Sequence, residues 1–208
     1  MWPQIAIGNQ VSNLNKKVRR WGCDQLFCPF ICQPLLMTAD SFRLVMATRS
    51  GDIDPGMLPF TAKVKQRDVH GLDTLLNKES GLLGVCGHSD MRDIAQEAEQ
   101  GNTRCQLAQD IFVHRVRKYI GAYLLNLNFI VHAIVFSGGI GEHSPLVREQ
   151  ACAGLQALGT KIDAESNAAA DGKSIRSVST GGGPDVLVVP TDEELCIAKD
   201  AAELAQAH

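Results

Sequence analysis

An α/β fold is predicted by three features of the 208-residue chain. His132-Ala-Ile-Val-Phe136 is a short apolar run that passes through the turn Ser137-Gly-Gly-Ile-Gly-Glu142 into the helix start Ser144-Pro145. That is a strand, a turn and a helix in succession. Asp185-Val-Leu-Val-Val-Pro190 reads as a second, buried strand by its β-branched content. Cys105 to Leu127 carries apolar residues at 107, 111, 112, 116, 119, 120, 123 and 124, which is helix spacing with one polar side.

The remaining elements follow in chain order. Residues 1–44 read as irregular, with Ile5-Ala-Ile7 as a strand running into a Gly8-Asn9 turn and Lys16-Lys-Val-Arg-Arg20 as a solvated basic run. Leu72 to Asn77 resembles a helix or its last turns. Met91 to about Gln100 is predicted helical, with Ser89 or Asp90 as N-cap and Gly101 just past the end. The helix opened by Ser144 turns Leu146, Val147, Ala151, Leu155 and Leu158 inward and stops at Gly159. Lys161-Ile-Asp163 is a short strand, 171–184 a loop with an edge strand at Ile175 to Val178, and Thr191-Asp-Glu-Glu194 opens a last helix through about Ala205.

Composition narrows the function. Hydrophobic content of 45% with 21% charged residues describes a soluble globular chain. A net charge of -3 and 5% aromatic content speak against a nucleic-acid partner. No apolar run reaches bilayer length, and Leu26 to Met37 is broken by Pro29 and Pro34 and lacks the ordered regions of a signal peptide, so a cytoplasmic protein with no membrane partner is expected. Seven scattered cysteines suit a reducing compartment. Their one cluster, Cys23, Cys28 and Cys32, lacks the second pair or the histidines of a zinc site.

Four stretches carry residues suited to chemistry. Met46-Ala-Thr-Arg-Ser-Gly-Asp-Ile-Asp-Pro-Gly56 sets Arg49 among turn formers, hydroxyls and two carboxylates. It is either a loop offering a rigid fork of donors to phosphate or carboxylate oxygens, or a surface turn with Arg49 paired to an aspartate. Ser137 to Glu142 is either a glycine turn that admits a phosphate-bearing ligand close to its backbone or an ordinary strand–helix turn. In His88-Ser-Asp-Met-Arg-Asp93, Asp90 and Arg92 read as a helix cap with a surface arginine or as a binding feature. The carboxylates of 192–194 either complement a helix dipole or hold a cation.

Taken in order with Asn77-Lys-Glu-Ser-Gly-Leu-Leu-Gly84 and Lys118-Tyr-Ile-Gly-Ala-Tyr123, these stretches resemble the acetokinase family, the acetate and propionate kinases, from about Val45 to the C-terminus. The resemblance implies residues 45–208 as the C-terminal nucleotide-binding lobe of that fold, a mixed sheet flanked by helices in the sugar kinase, Hsc70 and actin superfamily, related to ribonuclease H. It implies Arg49 as the catalytic cation. Asp90, Met91 and Arg92 would line the nucleoside pocket, Gly139, Ile140, Gly141, Glu142 and His143 the adenine-nucleotide loop, and Glu193 would hold Mg2+. His143 stands where the family often has Asn. A homodimer follows from the same resemblance.

Residues 1–44 depart from the family. Its His-Leu-Gly-Asn-Gly phosphate loop has only a remnant in Ala6-Ile-Gly-Asn-Gln10, where Gly8 and Asn9 match. A shifted reading frame, a misassigned exon or a divergent insertion would each produce this. Two functions are therefore expected from the resemblance. One is an acetate kinase-type phosphotransferase, ATP and acetate giving ADP and acetyl phosphate reversibly. The other is a lobe that binds nucleotide and dimerises without turning over.

Overall fold

The computed structural model describes residues 4–8, 44–191, 198 and 202. The expectations for Asn9, the basic run at 16–20, the cysteine cluster, Glu193 and nearly all of the last helix lie outside the described residues.

The chain divides into two compact bodies, one containing 44–122 and the other 4–8 with 123–191. The first is helical. It holds α1 (Met57–Lys65), α2 (Val69–Lys78), α3 (Gly81–Cys86), α4 (Met91–Glu99) and most of α5 (Thr103–Asn126). Helix α2 begins where Asp68 accepts the Gly71 amide at 2.8 Å, and α4 where Asp90 accepts that of Arg92 at 2.8 Å. Asn102 caps α5 by accepting the Arg104 and Cys105 amides. Each cap satisfies amides that have no partner within the helix. Along α5 the inner stripe is Cys105, Ala108, Phe112, Val116, Tyr119, Ile120, Tyr123 and Leu124, all buried. The predicted spacing included Leu107, which is 53% exposed because Cys105 and Ala108 take the inner positions of that turn.

The second body is built on a four-stranded sheet in the order β1-β2-β6-β4, with a separate antiparallel pair β3-β5. Its strands are β1 (Gln4–Gly8), β2 (Ala133–Ser137), β3 (Thr160–Ile162), β4 (Arg176–Ser177), β5 (Ser179–Gly181) and β6 (Asp185–Val188). Strand β2 runs parallel to β6 and antiparallel to β1, so the sheet is mixed. Ala133, Ile134, Val135, Phe136, Val186, Leu187, Val188 and Val189 are all buried, the continuous apolar pattern of strands covered on both faces.

Helices α6 (Gly138–His143), α7 (Pro145–Cys152) and α8 (Ala164–Ala168) complete this body. Two expectations need correction. The glycine segment after β2 is wound into α6 rather than left as an open turn. The helix opened by Ser144, which accepts the Val147 amide, ends at Cys152, and Leu155–Leu158 form a separate 3-10 turn before Gly159. No helix among the described residues is long and apolar enough to cross a membrane.

Candidate active site

Arg49 is half-buried and rides on a segment whose backbone is hydrogen-bonded to the α2–α3 junction. The amides of Leu82, Leu83 and Ser80 donate to the carbonyls of Met46, Ala47 and Thr48 at 2.8, 2.9 and 3.0 Å. The Ser50 amide donates to Leu76 O at 2.9 Å, and the Thr48 hydroxyl to Asn77 O at 3.0 Å. Gly81 makes this approach possible. Its φ is +65°, and a Cβ there would stand 2.8 and 2.9 Å from the carbonyl oxygen and nitrogen of Arg49 and closer still to Met46 O. Only glycine fits such a position. The Asn77-to-Gly84 stretch and the arginine stretch, separate in sequence, thus form one unit.

Beyond Arg49, the Asp52 carboxylate accepts the Tyr119 hydroxyl and lies 3.7 Å from both Arg115 and Lys118 of α5. This anchors the segment on its other side.

Asp90 is the N-cap of α4 and is held by Arg92, whose Nη2 lies 2.6 Å and Nε 3.1 Å from the carboxylate oxygens. The Arg92 side chain, 84% exposed, folds back on it. Hydrogen bonds from the Arg92 side chain and then its amide hold the Asp90 carboxyl down at about 2. Met91 is buried beside Ile94 in the inner face of the helix.

In the second body, the segment that leaves β2 is fixed by its own carboxylate. Gly138 has φ +74°, which turns the chain out of the strand. Glu142, 5% exposed, folds back so that its Oε1 accepts the Gly138 amide at 2.6 Å, the Thr191 amide at 2.9 Å and the Thr191 hydroxyl at 2.7 Å. The His143 ring Nδ1 lies 3.0 Å from Gly139 O. Gly139 and Ile140 are half-buried and Gly141 is buried. Because β2 and β6 are parallel, their ends bring Ser137 and Thr191 together, with hydroxyls 2.7 Å apart. The carboxyl ends of parallel strands are where α/β sheets receive ligands.

The other end of α6 rests on Arg148, which is fully buried. Its Nη1 donates to Gly141 O and Glu142 O, both at 2.8 Å, and its Nε and Nη2 donate to Asn167 Oδ1 and Asn167 O, both at 2.7 Å. Burial lowers the guanidinium to about 10. Sequence reading missed Arg148, since a lone arginine is expected in solvent. Its place between Val147 and Ala151 on the inward stripe of α7 was the available signal.

Gly8 lies apart from this turn. In the β1–β2 register Gly8 faces Ala133, at the start of β2, whereas Gln4 faces Ser137 at its end. The pairing therefore sets the phosphate-loop remnant at the opposite end of the strand. Among the described residues, no group of three or more His, Cys, Asp or Glu side chains could hold a metal ion. Cys86, Cys105 and Cys152 are free thiols, and burial pushes Cys152 up to about 12.

The sequence pattern of the Acetokinase family matches residues 41–199. The acetate kinase of Nitratidesulfovibrio vulgaris is 49% identical over 156 residues, which are 75% of this chain and 39% of that protein. The crystal structure of Porphyromonas gingivalis acetate kinase superposes with a TM-score of 0.71 at 39% identity, over 78% of this chain and 41% of that one. A propionate kinase from Francisella tularensis gives a TM-score of 0.67, also at 39% identity, over 74% of this chain and 39% of the other. The chain thus spans about two fifths of the length of the relatives it matches.

Proposed function

The chain belongs to the acetokinase family, and we propose that it acts in carboxylate phosphorylation, in which ATP and acetate give ADP and acetyl phosphate reversibly. A carboxylate oxygen forms the new bond to the γ-phosphorus while the bond from that phosphorus to the bridging oxygen of ADP breaks. The acceptor attacks as an anion, so no proton has to be removed. What the reaction requires of a protein is alignment and neutralisation of charge on the migrating group.

The mount of Arg49 carries this reading. A guanidinium offers paired donors to phosphoryl and carboxylate oxygens at once, and here its backbone is held along both sides by residues 76–83. Arg49 is accordingly the catalytic residue. Asp90, Met91 and Arg92 serve the nucleoside, Met91 by packing beneath the other two. Gly139, Ile140, Gly141 and His143 form the nucleotide loop, where small residues let a ligand approach the backbone. Mg2+ accompanying the nucleotide is assigned to Glu193, since a hard cation takes one or two carboxylates along with phosphate oxygens. Residues 45–208 constitute the nucleotide-binding lobe of a cytoplasmic, homodimeric protein.

A second reading concerns the matched residues taken by themselves, which would bind nucleotide and self-associate without turnover, because alignment and exclusion of water need two walls. Calorimetric titration with ADP, beside a hydroxamate assay with ATP and acetate, separates the two. Binding with acyl phosphate formation establishes the enzyme; binding alone establishes the module; no binding overturns both. Sedimentation of the same sample tests the dimer.

A further inference from the structure

We infer that Glu142 is a positioning residue that acts through Thr191, rather than a side chain that touches the nucleotide. The inference rests on the assignment of the glycine turn to a nucleoside diphosphate and adds how that turn is held.

Three donors converge on one oxygen. The Gly138 amide, the Thr191 amide and the Thr191 hydroxyl all reach Oε1 of Glu142 within 2.9 Å. The Thr191 hydroxyl, having given its proton to Glu142, accepts from the Gly138 amide at 2.9 Å and from the Ser137 hydroxyl at 2.7 Å. Ser137 thus donates to Thr191 and Thr191 to Glu142. On its far side the carboxylate meets the backbone at Gly172, where an added Cβ would lie 3.0 Å from Oε2. A side chain 5% exposed and engaged in this way faces the protein.

The network joins the two places where the chain leaves the parallel pair. Strand hydrogen bonding ends with the Val189 amide donating to Phe136 O at 2.9 Å. Beyond that point the hydrogen bonds that Glu142 and Thr191 make with each other and with Ser137 and Gly138 set the spacing between Gly138, at the start of the turn, and the segment just before Glu193. Glu142 fixes the path of the turn backbone, and Thr191 is as necessary to it as Glu142.

Since every contact is to Oε1, an amide oxygen can replace the carboxylate. Metal-free ADP binding by the full chain, measured by calorimetry, is expected to fall about ten- to a hundredfold in Glu142→Ala and in Thr191→Val, the scale of one or two lost buried hydrogen bonds. The double variant should bind no more weakly than the weaker single, because both changes break one link. Glu142→Gln and Thr191→Ser should bind within about threefold of the parent, whereas a direct charge contact would be lost in Gln. Amide exchange at Gly138 and Thr191, read without nucleotide, serves variants that fold poorly: both amides should be protected in the parent and released in Glu142→Ala, which removes the acceptor they share. Unchanged binding by Thr191→Val, multiplied losses in the double variant or unprotected parent amides would overturn the role. Protected amides in a parent that binds no ADP would instead overturn the nucleotide assignment, and the positioning role with it, while the clamp itself stood.

Discussion

The phenol of Tyr119 donates its proton to the carboxylate of Asp52, tying one turn of α5 to the segment that follows Arg49. Arg115 and Lys118 reach the same carboxylate only at 3.7 Å, and the Lys118 side chain is 52% exposed. Solvated ion pairs of that kind contribute little, so the hydroxyl dominates. Tyr119→Phe should cost about 1–2 kcal/mol, and Lys118→Ala no more than about 0.5 kcal/mol. Urea midpoints decide; equal losses for the two would show that the phenol has no special part.

Gly81→Ala should disrupt the Arg49 mount. The added carbon meets backbone atoms of Met46 and Arg49, and φ is +65°. The backbone conformation alone costs about 1–2 kcal/mol, and the clash adds to it. Gly121 in α5 has no atom within 4 Å of an added Cβ, so Gly121→Ala should stabilise by up to about 1 kcal/mol through helix propensity. Thermal melting of the two variants should shift in opposite directions.

Arg49→Lys is expected to leave the melting temperature within error and lower turnover about a hundredfold or more, because an ammonium cannot supply the fork. Steady-state rates in the full chain, or in any assembly it forms that turns over, provide the check. A rate close to the parent's removes Arg49 from the chemistry.

Arg148→Met should destabilise by about 2–4 kcal/mol, since it strands the carbonyls of Gly141, Glu142 and Asn167 and the Asn167 amide oxygen in the interior. Arg148→Lys should recover only part, one ammonium being unable to span all four acceptors. Chemical denaturation of both tests this, and a harmless Met would mean that water takes over the bonds.

Asp90 should titrate at about 2 rather than near 3.8, held down first by its hydrogen bonds to Arg92. A carboxyl depressed in the folded state stabilises above its unfolded pKa, and that contribution fades as pH falls from about 4 toward 2. The side chains are 39% and 84% exposed, so screening keeps the effect below about 1 kcal/mol. Carboxyl NMR gives the pKa directly, and Arg92→Ala should raise it toward the ordinary value.

Local features were legible in the sequence. The Asp90 cap, the α5 spacing and the Ser144-Pro145 start each depend on residues within a turn of one another, and the structure keeps them. What escaped depends on distant partners. The glycine segment winds into α6 around a carboxylate bonded to Thr191, far along the chain. Arg148 is interior because Asn167 and the end of α6 accept its donors. Helix α1 buries no residue and has no strong stripe, so periodicity gave no sign of it. For the site, Arg49 stood out by its neighbours, but the need for Gly81 beneath it became visible only when the two stretches met.

Holding residues 46–50 along both flanks has a thermodynamic consequence. Little main-chain freedom is left there to lose, so a ligand meeting this segment would find its backbone already ordered and would not have to wait for a loop to close.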